Sequence, residues 1–161
     1  MSKIMRTMTA VLMAAAFLFS GLAAAEQDYG KQKVVYHINY DNPKKQGGAL
    51  RNIQNHINAV GAENLDIKVV LHGNGLALLL DPDSLKNVPK FKHANATDEM
   101  TAKISGLKDQ GVAFDVCANT VRGRKVNVEN DLYDVEKADI VPSGVAELAA
   151  LQQQGYVYIK P

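Results

Sequence analysis

Gly111-Val112-Ala113-Phe114-Asp115-Val116-Cys117-Ala118-Asn119-Thr120 is the stretch that decides the fold. The apolar run Val112 to Val116 reads as a buried strand bounded by Gly111. It ends at the only cysteine of the 161-residue chain, and the residues just after it read as a helix start. In an open α/β sheet the ends of strands are where ligands and reactive groups sit. A thiol there is placed to react, whereas a thiol in mid-strand is usually packing.

The same alternation extends in both directions from this stretch. Upstream, Lys33 to Asn39 is β-branched and aromatic and reads as a first strand. Asp41-Asn42-Pro43 and Gly47-Gly48 punctuate the loop after it. Leu50, Ile53, Ile57 and Val60 recur at helical spacing, which predicts a helix over 48–60 closed by Gly61. A second strand spans Leu65 to Leu71 and runs into His72-Gly73-Asn74-Gly75, then the apolar stretch Leu76 to Leu80. Residues 84–96 are polar and basic, carry Pro89, and read as irregular. Thr97 is the expected cap of a helix over 98–110, with Asp98 and Glu99 in its first turn, where the helix dipole favours them.

Downstream of Cys117, residues 119–137 read as a polar, charged segment. Asp139-Ile140-Val141 is a short fourth strand, 145–154 a helix closed by Gly155, and Tyr156 to Ile159 a final strand. The alternation predicts one α/β domain: a mostly parallel sheet of about five strands, with helices on both faces.

The first 25 residues stand apart. Lys3 and Arg6 form a basic start, Ala10 to Phe19 is apolar, and Ala23-Ala24-Ala25 offers small residues for cleavage. This is the pattern of a secretory signal peptide and is short for a membrane span. The expected mature domain is 26–161, exported to the periplasm. Removing Lys3 and Arg6 takes the formal charge from +1 to −1. That balance argues against a generic nucleic-acid binder, and no later segment is long and apolar enough to cross a membrane.

Exported proteins often pair their cysteines, but Cys117 has no partner within the chain. It is buried and inert, bonded to another molecule, or reactive. A reactive thiol works as thiolate, which a helix N-terminus or a nearby cation favours. Asn119 or Thr120 can cap a helix whose amides point back at the sulfur, and Arg122, Arg124 and Lys125 follow. On the alternative reading the bases are a solvated face and Cys117 packs as a small hydrophobe. His72 either exchanges protons or binds a ligand, or it hydrogen-bonds a loop carbonyl. In a parallel sheet the loops after the second and third strands share one edge. Asn39, Tyr40 and Asp41, after the first strand, join them there.

Other chemistry finds little support. His37, His56, His72 and His93 are scattered without ligand-like spacing, so no metal site is expected. There is no phosphate loop, no dinucleotide fingerprint and no Gly-x-Ser-x-Gly elbow. No cofactor is expected.

Three segments, Val69 to Gly75, Gly111 to Thr120, and Ile140 through Pro161, resemble the DsrE/DsrF-like family of sulfur-relay proteins. The resemblance implies a three-layer α/β/α fold and oligomers, often trimers or hexamers. It also implies that Cys117 holds sulfane sulfur as a persulfide and passes it to a partner. His72, Asn74 and Asn119 would then bind at the sulfur, and Arg122 and Arg124 would attract an anionic donor. The alternative is an oligomeric small-ligand-binding or assembly protein of the same fold, with a structural cysteine. A third reading makes Cys117 a redox sensor that forms an intermolecular disulfide. The leader is a departure, because the well-known relays are cytoplasmic.

Overall fold

The computed structural model describes residues 27–161. The signal peptide expected over 1–25 lies outside the described residues. The strands are β1 (Gln32–Ile38), β2 (Leu65–Leu71), β3 (Ala113–Cys117), β4 (Ile140–Val141) and β5 (Val157–Ile159). The helices are α1 (Pro43–Val60), α2 (Asp98–Lys108), α3 (Ala118–Arg124), α4 (Val128–Asp131) and α5 (Gly144–Gln153). The strands form one five-stranded sheet in the order β4-β3-β2-β1-β5. Every pairing is parallel.

The strand order determines which face each helix covers. Steps from β1 to β2 to β3 to β4 run in one direction across the sheet, and the connection from β4 returns past β1 to β5. Right-handed crossovers therefore put α1, α2 and α3 on one face and α5 on the other. The packing agrees. On the first face, Leu50, Ile53 and Ile57 of α1 and Met100, Ile104 and Leu107 of α2 join Val34, Tyr36, Val69, Leu71, Phe114 and Val116 in the main core. Burying a side chain such as Leu50 or Ile53 contributes about 1.5–3 kcal/mol each. On the second face, Leu148 and Leu151 of α5, with Tyr156, cover Val35 and Val70. No helix among the described residues is long and apolar enough to cross a membrane.

Several elements start elsewhere than the sequence pattern predicts. α1 begins at Pro43 instead of residue 48, because Asn42 is its N-cap and accepts a hydrogen bond from the Lys45 amide at 2.9 Å. Proline suits the first helical turn, where its missing N–H is unneeded. The helix start read after Cys117 is α3, which begins at Ala118, and the polar, charged segment 119–137 also holds the short α4. The cap of α3 is Cys117 itself, not Asn119 or Thr120. Thr97 occupies the cap of α2, but its side chain makes no capping hydrogen bond. The apolar stretch after His72 is a buried 3-10 turn over Gly73–Leu78. Another such turn, Pro82–Asn87, interrupts the irregular region, with Asp81 accepting from the Asp83 amide.

Candidate functional site

Strand register brings the two conspicuous loops together. β2 and β3 are neighbours, and Leu71 pairs with Val116. His72 therefore lies beside Cys117, one position further along each strand. Val70 faces α5, and side chains alternate along a strand, so His72, Asp115 and Cys117 share that face. On β1, Val35 and His37 do the same.

Cys117 occupies a topological switch point. β3 leads into α3 on the first face, whereas its neighbour β4 leads into α5 on the second. Connections that diverge this way leave a crevice at the carboxyl ends of the strands. Here that point is where two helices, α3 and α5, begin. Burial pushes the Cys117 thiol up, but hydrogen bonding outweighs it and holds the thiol below its ordinary pKa. The donors are the Gly144 amide, the Thr120 hydroxyl, and the amides of Thr120 and Asn119. These donors favour the charged thiolate over the neutral thiol. Thr120 is well prepared for this. Its Oγ1 accepts from the Gly73 amide at 2.8 Å, which leaves its own proton free to donate.

Gly144 is required by close approach. A Cβ added there would lie 2.9 Å from the Cβ of His72 and 3.3 Å from that of Cys117. Both contacts are to atoms fixed by strand backbone, so α5 would have to move. We expect Gly144→Ala to cost about 1–3 kcal/mol in urea denaturation. Drawing the Gly144 amide off the sulfur should also slow alkylation of Cys117 at pH 7 roughly tenfold. An alanine variant that alkylates at the wild-type rate would show that this amide does not activate the thiol.

A chain of side chains crosses the same face. His72 Nε2 meets His37 Nε2 at 2.7 Å, and His37 Nδ1 meets the Tyr158 hydroxyl at 2.6 Å. The two imidazole planes are 23° apart, with ring centroids 4.7 Å apart. Burial lowers the pKa of both, His37 to about 4, and the charge of Lys160 lowers both further. His37 is additionally lowered by His72. The pair is therefore neutral at pH 7 and shares one proton between facing nitrogens.

Asp115 lies two residues before Cys117, 7% exposed, with Oδ2 buried and unpartnered. Burial raises its carboxyl to about 6; Lys68 opposes this, while Glu147 and Asp139 add to it.

The side chains of the remaining sequence candidates pair with one another. Asn119 Oδ1 accepts from the Arg122 guanidinium, and Asn74 Oδ1 accepts from that of Arg124. Arg124 also donates to the Lys90 carbonyl at 2.9 Å and stacks on Phe91, 4.3 Å from the ring centroid. Arg124 thus ties the 88–91 loop to the end of α3. Cys117, His72 and Asn119 come together at the crevice, whereas Asn74 and Arg124 form a separate clamp. Among the described residues no group of three or more His, Cys, Asp or Glu side chains is arranged to hold a metal. His37 and Tyr158 are the members that the sequence pattern missed. A histidine inside an otherwise apolar strand was the available signal.

The model of the DsrE/DsrF-like family matches residues 32–161. A solved structure, the protein of unknown function MTH1491 from Methanobacterium thermoautotrophicum, is 27% identical with a TM-score of 0.63. The match covers 81% of this chain and 100% of that one. No curated protein matches the chain.

Proposed function

The chain belongs to the DsrE/DsrF-like family, and on that premise we propose that it carries sulfane sulfur as a persulfide on Cys117. The observation that carries this reading is the thiol at the switch point, held below its ordinary pKa by donors from two helix starts. The Cys117 thiolate attacks the outer sulfur of a donor R–S–SH. The donor S–S bond breaks, a new S–S bond forms on Cys117, and R–S⁻ leaves. An acceptor thiolate reverses the exchange, so no external oxidant or reductant is needed.

The same proposal includes export to the periplasm, supported by the leader pattern in residues 1–25, and a homo-oligomer, trimeric or hexameric. Exposed Val145 and Val157 support self-association. Its partners are a sulfur donor and an acceptor protein, with no nucleic acid and no membrane after leader cleavage.

Mass spectrometry after polysulfide treatment tests the carrier reading. The wild type should gain one or more sulfur atoms, and Cys117→Ser should gain none. A wild type without sulfur increments, or a serine variant with the same increments, refutes it. One observation favours a second reading, a binding or assembly module with a structural cysteine: Cys117 is only 5% exposed. That reading expects slow alkylation in the folded protein and ordinary alkylation once it is unfolded.

A further inference from the structure

We infer that Tyr158, His37 and His72 form a neutral proton relay whose open end, His72 Nδ1, serves sulfur exchange at Cys117. This inference rests on the persulfide reading. The geometry alone fixes the logic of the relay. Two imidazole nitrogens at 2.7 Å must be one donor and one acceptor. The Tyr158 hydroxyl at the far end can donate or accept, so the roles along the chain are coupled to its own.

When Tyr158 donates to His37 Nδ1, His37 carries its proton on Nε2 and donates to His72 Nε2. His72 then holds its own proton on Nδ1 and is a hydrogen-bond donor. With every bond reversed, His72 Nε2–H donates to His37, His37 Nδ1–H donates to the tyrosine oxygen, and His72 Nδ1 is a bare acceptor. Both states are neutral and contain the same protons. Nδ1 of His72 has no hydrogen-bond partner among the described residues. It is absent from the buried unpartnered atoms, so it reaches solvent. Register puts His72 beside Cys117, and Gly144 touches both. Tyr158 is 40% exposed, so the far end also reaches water.

The relay matches the proton traffic of the exchange. Thiol activation releases a proton, and the departing R–S⁻ needs one. In the acceptor state, His72 Nδ1 takes the proton of the incoming thiol or persulfide. Its Nε2 proton passes to His37, the His37 Nδ1 proton passes to Tyr158, and the tyrosine releases its own proton to water. One proton enters, one leaves, and the relay ends in the donor state, ready to protonate R–S⁻. No imidazolium persists on this face, where burial and Lys160 oppose it. The other charged and titratable groups here are Cys117 and Asp115 on β3, Asp139 just before β4, Asp66 and Lys68 on β2, Lys33 on β1, Tyr156 before β5 and Glu147 on α5. In this scheme His72 touches the reacting atoms, and His37 and Tyr158 are positioning residues.

Tyr158→Phe keeps the exposed ring and removes the end of the relay. Persulfide formation from a small-molecule persulfide should still reach completion by mass. Its rate at pH 7 should fall about tenfold, and His37→Gln should lower it about 10- to 100-fold, within the range for general acid–base catalysis. Both variants should change the shape of the pH–rate profile, which a merely structural role would leave unmoved. In addition, ¹⁵N spectra should show His37 and His72 neutral at pH 7, with the tautomer of His72 shifted by Tyr158→Phe. Unchanged rates and an unchanged tautomer overturn the relay while leaving the carrier reading intact. A wild type that takes up no sulfur overturns the carrier reading and the relay's role in it.

Discussion

Gly75→Ala is expected to destabilise the fold by at least about 4 kcal/mol, beyond the usual range for overpacking because the obstruction is backbone. A Cβ at position 75 would sit 1.9 Å from the carbonyl oxygen of Ile38 and 2.6 Å from its carbon. Ile38 ends β1, the strand between β2 and β5, and its carbonyl also receives the His72 amide at 3.4 Å. Neither side can yield without disturbing the central pairing or moving His72. A domain of this size has about 5–15 kcal/mol in all, so the variant should melt at least about 10 °C lower. A urea midpoint giving a loss under about 1 kcal/mol would show that the turn relaxes, against this expectation.

Gln46→Leu should cost about 3–5 kcal/mol, because each buried polar group left without a partner costs about 1–3 kcal/mol. Gln46 is fully buried on α1. Its Nε2 donates to the Tyr40 carbonyl at 2.6 Å and to the Gly75 carbonyl at 3.2 Å. Its Oε1 accepts from Asn95 Nδ2 at 2.7 Å, and Asn95 donates on to the Asp41 carbonyl at 2.8 Å. One side chain thus ties together the loops after β1 and β2 and the segment before α2. Leucine keeps most of the volume, so denaturation reads the hydrogen bonds and little of the packing. A leucine variant as stable as wild type would mean that water or rearrangement satisfies those carbonyls.

The strand–helix alternation was legible because hydrophobic period and turn residues are local signals. β2 was read over its full length, and the covered sheet followed from the alternation of strands with helices, which the burial of Val34 to Ile38 on both faces matches. Asn42-Pro43 misled because the same dipeptide can close a loop or cap a helix, and Gln46, though buried, is polar and blurs the first turn. The extent of α3 was not legible because its polar residues outnumber Thr120 and Val121, which face inward. At the site, Cys117 and His72 stood out as strand-end residues. Their adjacency depends on strand order, which no local pattern encodes. His37 and Tyr158 are 121 residues apart and meet only because β5 docks beside β1.

The return from β4 to β5 also sets an order of events in time. A ribosome makes Cys117 forty-one residues ahead of Tyr158, and Gly144 falls between them. While the chain is still being made, the thiol lacks the amide of α5 and the relay lacks its terminal hydroxyl. The nascent cysteine therefore behaves as an ordinary thiol, and its activated form appears only when the sheet closes at β5. The lowering of the thiol pKa is thereby coupled to completion of the fold.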